Sequence, residues 1–237
     1  MTENCSCTNC KDQLCMHKVP IFSSLDREQL DKIIELIQRR SYEKGETILF
    51  EGDLMDSVTI ISGGSAKAYK NTSNGREQIL YVFSEGDFFG EQNLFGDETA
   101  TYSVEALEDV KTCNLSRKQF QQLIYSFPHI AVKIIDELGE RMTRLENALQ
   151  SIGVRNVDNR IGSILIEFAR KYGIRDGSNT IIHLPLSREG IANYLGVARE
   201  TVSRKFSQME NEGLILSISN KEILIPDMGK IEDIAFN

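Results

Sequence analysis

Cysteine is the residue type whose placement in this sequence most clearly suggests chemistry. Four of the five cysteines, Cys5, Cys7, Cys10 and Cys15, lie in the stretch CSCTNCKDQLC, and the fifth, Cys113, lies far downstream. In a reducing compartment, clustered thiols bind metals or act in catalysis more often than they form structural disulfides. The pattern therefore indicates a metal-binding or redox-active group of thiols.

The composition limits the class of protein. The chain has 237 residues, 41% of them hydrophobic, which is enough for two modest domains or one large domain with a proper core. It contains neither a run of about 18 apolar residues nor a signal peptide, so we expect a cytoplasmic protein without membrane partners. The net charge of −8 argues against nonspecific binding to polyanions but leaves room for a local basic patch.

The chain divides into four segments by pattern. Residues 1–18 form a polar, Cys-rich arm; residues 19–127 form a sensor domain that begins with a helix capped by Ser24. Within it, short β-rich runs such as SVTIISG and QILYVF alternate with glycines that recur every 11 or 12 residues, and Asn74-Gly75 favours a two-residue hairpin turn. This spacing predicts an antiparallel roll or barrel.

A helical stretch follows the roll, and we assign it to residues 128–155. Apolar residues on it recur at alternating steps of three and four, which is the seam of a coiled coil. The seam residues are Ile135, Leu138, Met142, Leu145, Leu149 and Ile152. This pattern favours a homodimer, although a helix packed on its own roll would also need apolar positions. Because the seam carries no charge, we expect a dimer even without a metal cofactor.

The last segment, residues 156–237, has the pattern of a winged helix-turn-helix. Ser187 can cap a first helix, Gly196 allows the turn, and LILSISNKEILIPD reads as a two-stranded wing. On the second helix Val202, Phe206 and Met209 share one face and predict its core contact.

The opposite face of that second helix carries polar side chains suited to DNA. Arg204 could hold a guanine, Glu200 could accept from a cytosine amine, and Ser203 could serve either partner. The segment has 10 Lys and Arg against 11 Asp and Glu, so affinity must come from a few well-placed groups. The candidate DNA-binding residues are Ser187, Arg188, Arg199, Glu200, Ser203, Arg204 and Lys205. A solvated helical hairpin is the alternative.

Two segments resemble the Crp/Fnr superfamily of bacterial transcription regulators: EGDFFGEQNLF at 85–95 in the roll and ARETVSRKF at 198–206 in the second helix. The resemblance covers nearly the whole chain. It implies an α+β fold with an N-terminal antiparallel β-roll of the cupin-like jelly-roll type, a long dimerisation helix and a C-terminal winged helix-turn-helix. It also implies RNA polymerase as a partner. An enzyme is not expected, because the sequence has no nucleotide-binding fingerprint, no paired catalytic carboxylates at motif spacing and no Ser/His/Asp arrangement.

Two branches of the superfamily make different predictions. The cyclic-nucleotide branch has an Arg-Ser pair that grips a phosphate, whereas Ala100 and Thr101 stand at the matching positions here, so cyclic AMP is not expected. The Fnr branch shares the E-x-x-S-R pattern of Glu200, Ser203 and Arg204, which implies a palindrome of TTGAT-type half-sites. Arg199 departs from the apolar residue often found there in Fnr, which puts an outer base of the half-site in doubt.

The Fnr branch also implies an oxygen-sensitive 4Fe–4S cluster, which takes three thiolates close in sequence and one remote. The favoured ligands are Cys7, Cys10, Cys15 and Cys113, with Cys5 as a substitute, although the second gap is slightly shorter than in the Fnr pattern. Other interpretations stay open. The N-terminal thiols could bind zinc, the arm could form a reversible disulfide with Cys113, Cys113 could be a buried structural residue, or the roll could bind a small molecule.

Overall fold

The computed structural model describes residues 19–23, 25–73, 75–94, 99–154, 156–177 and 179–236, with the side chains of 93, 94, 144, 145 and 147–154 left out. The chain forms two compact units. One holds the described residues up to Ala68 together with Phe83–Gly139, and the other holds Tyr69–Val82 together with the residues from Glu140 onward. Among the described helices, none is long and apolar enough to cross a membrane.

The N-terminal half contains most of the strands. Its elements are α1 (Arg27–Ile34), β1 (Gln38–Tyr42), β2 (Thr47–Leu49), β3 (Ser57–Gly63), β4 (Ser65–Asn71), β5 (Glu77–Ser84), β6 (Phe88–Phe89), β7 (Ser103–Ala106), β8 (Val110–Ser116), α2 (Arg117–Ser126) and α3 (Pro128–Val154). The strands form two four-stranded sheets, ordered β1-β8-β3-β6 and β2-β7-β4-β5, and every register given for the first sheet is antiparallel. The predicted antiparallel sheet domain is confirmed.

Two local predictions in this half differ from the structure. Helix α1 is capped by Asp26, which accepts from the Gln29 amide while the Gln29 side chain accepts from the Asp26 amide. The helix therefore begins with a capping box at Asp26 and not with the predicted cap at Ser24, which lies outside the described residues. The β4–β5 connection is also longer than a two-residue turn, because β4 ends at Asn71, β5 begins at Glu77, and the Thr72 amide donates to the Arg76 carbonyl at 2.8 Å.

The hydrophobic core of the first unit joins the roll to the helices on either side of it. It contains Val19 and Phe22 before α1, Ile60 on β3, Cys113 and Leu115 on β8, and other buried side chains. Strand β8 is central in its sheet, pairing with β1 at Arg39–Cys113 and with β3 at Ile60–Cys113. Residues on both sides therefore fix the backbone of Cys113.

The C-terminal half is mostly helical. Its elements are α4 (Val157–Tyr172), β9 (Gly173–Asp176), β10 (Asn179–His183), α5 (Arg188–Leu195), α6 (Arg199–Asn211), β11 (Leu216–Ser217), β12 (Glu222–Ile225) and α7 (Met228–Phe236). Helix α4 ends at Tyr172, just before Gly173, and β11-β12-β10-β9 form one antiparallel sheet that contains the predicted wing. Helix α7 is an addition to the prediction. It packs on α4, where Gly162 lies against the backbone of Ala235 so closely that a Cβ would not fit without a shift.

Candidate DNA-reading surface and cysteine site

Helices α5 and α6 form the predicted helix-turn-helix. The Ser187 hydroxyl caps α5 by accepting from the Gly190 amide at 3.1 Å. Gly196 ends α5 with φ of 64°, a left-handed conformation that favours glycine. The Val197 amide then donates to the Ala192 carbonyl at 3.0 Å. These contacts set the turn after which α6 begins.

Helix α6 is oriented by one apolar face. Val202, Phe206 and Met209 are buried, at 0, 2 and 7% exposure, as the sequence pattern predicts. Arg199, Glu200 and Arg204 are exposed, and Ser203 is half-buried. The N-terminal half of α6 therefore presents two guanidinium groups and a carboxylate to solvent, which is the chemistry that base edges and phosphates require.

Arg188 is engaged within the domain. Its guanidinium carbon lies 3.6 Å from the Phe206 ring centroid, and its Nη2 donates to the Ser217 hydroxyl at 3.4 Å. Burial lowers the pKa of Arg188, an effect that the Glu210 carboxylate opposes. Glu210 also accepts from the Ser217 amide at 3.2 Å. Arg188 thus ties α5 to α6 and to the wing, and a role for it toward DNA stays a prediction.

Lys205 is also paired within the domain. Its Nζ lies 2.7 Å and 2.8 Å from the two carboxylate oxygens of Asp158 on α4, and 3.2 Å from Oε1 of Gln208. Among the candidate DNA-binding residues, Ser187, Arg188 and Lys205 thus have side chains that make contacts inside the domain.

Cys113 is the one predicted cluster ligand that the structure describes. It is 7% exposed and belongs to the core cluster that contains Val19, the fourth residue after Cys15. Four residues of extended chain span at most about 14 Å. Cys5, Cys7, Cys10 and Cys15 lie outside the described residues. Within the described ranges, no group of three or more His, Cys, Asp or Glu side chains is arranged to hold a metal ion.

Comparisons with known proteins identify both halves of the chain. A cyclic nucleotide-binding domain model matches residues 39–126, and a Crp-like helix-turn-helix domain model matches residues 159–234. The chain is 30% identical over 222 residues to the probable transcriptional regulator flp of Lacticaseibacillus casei, covering 94% of this chain and 98% of that protein. It belongs to the Crp/Fnr family of transcription regulators.

Two further comparisons agree with the family and the fold. The transcriptional activator protein FnrA of Stutzerimonas stutzeri is 30% identical over 207 residues, covering 86% of this chain and 83% of that protein. The structure of a CooA mutant from Carboxydothermus hydrogenoformans superposes with a TM-score of 0.76 at 18% identity, covering 92% of this chain and 94% of that chain. The relatives are regulators rather than enzymes, in agreement with the sequence analysis.

The roll of this Crp/Fnr regulator has a buried carboxylate in the segment EGDFFGEQNLF at 85–95. Glu91 is 5% exposed, deep in the domain that matches the cyclic nucleotide-binding model. Ala100 is buried, and its backbone exchanges hydrogen bonds of 2.8 Å with Gly52 and Asp53; Thr101 is exposed. Ala100 brings a methyl group to the position where the cyclic-nucleotide branch has arginine.

The long helix α3 of the regulator has two different faces. Ile130 and Ile134 are buried in the core cluster of the roll. Ile135, Leu138 and Met142 are exposed by 66, 38 and 61%. One face of α3 therefore packs on its own roll, and another face exposes apolar side chains to solvent. The described residues of α3 thus fit each of the two interpretations of the apolar pattern. The side chains of Leu145, Leu149 and Ile152 lie outside the described part of the chain.

Proposed function

We propose that this regulator binds as a homodimer to a palindromic TTGAT-type DNA site, under the control of an oxygen-sensitive 4Fe–4S cluster held by Cys7, Cys10, Cys15 and Cys113. The observation that carries the DNA part is the orientation of α6. Its buried face of Val202, Phe206 and Met209 turns Arg199, Glu200 and Arg204 outward, at the end of the helix that reads base edges in this type of motif.

The exposed face of α3 supports the homodimer. Ile135, Leu138 and Met142 follow the a/d spacing of a two-stranded coiled coil and leave large apolar area in water on a single chain. Burying such area contributes about 25 cal/mol per Å². A second copy of α3, related by a twofold axis, covers this face and gives the two α6 helices the symmetry of a palindrome.

The position of Cys113 supports the cluster. Its thiol stands on a strand that is paired on both sides, in a core that also contains the residues directly after the arm. A remote thiolate that is fixed in this way suits a cluster whose other three ligands come from one short segment. When bound, such a cluster supplies an oxygen-labile link between the arm and the roll.

The cluster is tested by anaerobic purification, with iron and acid-labile sulfide measured per chain. We expect about four of each, together with broad visible absorbance that is lost in air. Zinc in place of iron, or no metal after anaerobic reconstitution with iron and sulfide, would contradict the cluster and leave the DNA-binding proposal standing.

A second candidate is a regulator of the same fold that senses a small molecule in the roll, with zinc or a disulfide on the cysteines. The match of residues 39–126 to the cyclic nucleotide-binding model and the burial of Glu91 favour it. Because Ala100 and Thr101 supply no cation for a phosphate, we do not propose cyclic AMP as the molecule.

The dimer should form without any metal, because the described part of its seam is apolar. At micromolar concentration the metal-free protein should scatter light as a dimer, and Met142→Glu should shift it toward monomer by placing a charge in the seam. Lys133→Glu, on an exposed position of the same helix outside the seam, is the control and should stay dimeric. A monomeric wild-type protein would contradict the assignment of the seam.

A further inference from the structure

The first turn of α4 contacts every other helix of the DNA-binding part of the chain. Three consecutive side chains make these contacts. Asp158 pairs with Lys205 on α6, the Asn159 side-chain amide donates to the Ile234 carbonyl on α7 at 2.9 Å, and Arg160 donates from Nη2 to the Leu195 carbonyl at the end of α5. We call residues 158–160 the hub.

The hub is itself held firmly. Asn156 caps α4 by accepting from the amides of Asp158 at 2.8 Å and Asn159 at 3.1 Å. Asn159 is 9% exposed, and burial lowers the pKa of Arg160. A helix start that is capped and packed in this way transmits its own orientation to the elements that it contacts. Helix α4 follows α3 in the chain, and residues 155 and 156 lie between the two helices.

The contact of the hub with α6 is made by Lys205, which is also one of the candidate DNA-binding residues. The Lys205 side chain is only 23% exposed, and its Nζ contacts both oxygens of Asp158 as well as Gln208. A phosphate contact would require the amine to leave these partners. Arg199 and Arg204, by contrast, are exposed.

We propose that Asp158 and Lys205 are a positioning pair that holds α6 on the hub, and that Lys205 makes no contact with DNA phosphate. The inference rests on the proposed DNA binding and deepens it. In the alternative assignment Lys205 binds phosphate and Asp158 merely shields its charge. The two assignments predict opposite changes in DNA affinity when Asp158 is neutralised. Removing a shield would strengthen DNA binding, whereas removing a positioning partner weakens it.

The test uses the full-length protein and fluorescence anisotropy with two duplexes of equal length, one a TTGAT-type palindrome and one scrambled, over a range of salt concentrations. We expect Asp158→Asn and Lys205→Gln each to weaken binding to the palindrome by about three- to fivefold. The slope of log affinity against log salt should stay unchanged. Loss of a phosphate contact would instead reduce it by about one. Combining Asp158→Lys with Lys205→Asp should restore part of the affinity.

A matched control and a readout without DNA complete the design. Glu232→Gln removes one exposed carboxylate from α7. It should leave the DNA affinity, its salt dependence and the hydrogen exchange of α6 at their wild-type values. Amide hydrogen exchange in α6 should be faster in Asp158→Asn and in Lys205→Gln, with DNA absent. If the wild-type protein shows no preference for the palindrome over the scrambled duplex, the proposed function is wrong. Hydrogen exchange would still test whether Asp158 and Lys205 hold α6 in place. Tighter binding by Asp158→Asn, a reduced salt slope for Lys205→Gln, or unchanged exchange would overturn it.

Discussion

Replacing Arg204 with alanine should lower the affinity for a TTGAT-type palindrome by about 10- to 100-fold while leaving affinity for scrambled DNA nearly unchanged. Arg204 is exposed on α6, so its loss should not unfold the domain. A bidentate contact to guanine discriminates between bases, and its removal should relax the preference at one position of each half-site. Anisotropy titrations on a panel of duplexes, each substituted at one half-site position, measure this directly.

Lys230→Ala is the matched control for Arg204→Ala. It removes one positive charge from an exposed position on α7. The control should keep the full preference for the palindrome. An equal loss of affinity for all duplexes in Arg204→Ala would mean that this residue binds phosphate rather than a base. An unchanged affinity and an unchanged preference for the palindrome would mean that Arg204 does not contact DNA.

The second large effect is expected for Cys113→Ser. Serine is close to cysteine in size and should preserve the pairing of β8, but its hydroxyl is a poor ligand for iron. The variant, purified without oxygen, should therefore contain almost no iron or sulfide and should lack visible absorbance, while remaining folded by circular dichroism. The metal content per chain and the ultraviolet–visible spectrum provide the measurement.

Cys5→Ser is the matched control, since Cys5 is the cysteine that the proposed ligand set leaves out. It should retain iron at the wild-type level. A zinc site built from the four N-terminal thiols would give the reverse pattern, with metal retained in Cys113→Ser and reduced in Cys5→Ser. The two variants together therefore separate the cluster from its main alternative.

The elements with strong local patterns could be predicted from the sequence. Ser187 and Gly196 determine the start and end of α5 through a cap and a left-handed turn, and both are visible within a few residues of sequence. The strand runs of the roll were recognisable for the same reason. Strand β1 was harder to foresee because it is largely exposed and contains no alternating apolar residues. Helix α7 is not predicted because it is short, and its two buried residues, Ile231 and Ala235, are too few to reveal a helical period in the sequence.

The candidate site was predictable only where one helix face determines it. The burial of Val202 and Phe206 follows from helical periodicity, and so does the exposure of Arg204. The pairing of Lys205 with Asp158 joins residues far apart in sequence, and no local signal connects them. The prediction that Arg188 binds DNA depends on its charge alone, whereas its stacking on Phe206 depends on the packing of two helices.

The hub also determines where this regulator can be cut and rejoined. A chimera that takes its DNA-binding part from residue 156 onward inherits the Asn156 cap and all three hub contacts as one module. A junction placed after Arg160 would instead combine a foreign first turn with native α5, α6 and α7, and would lose the pairing partners of each. Exchange of specificity between relatives should therefore succeed at the first junction and fail at the second.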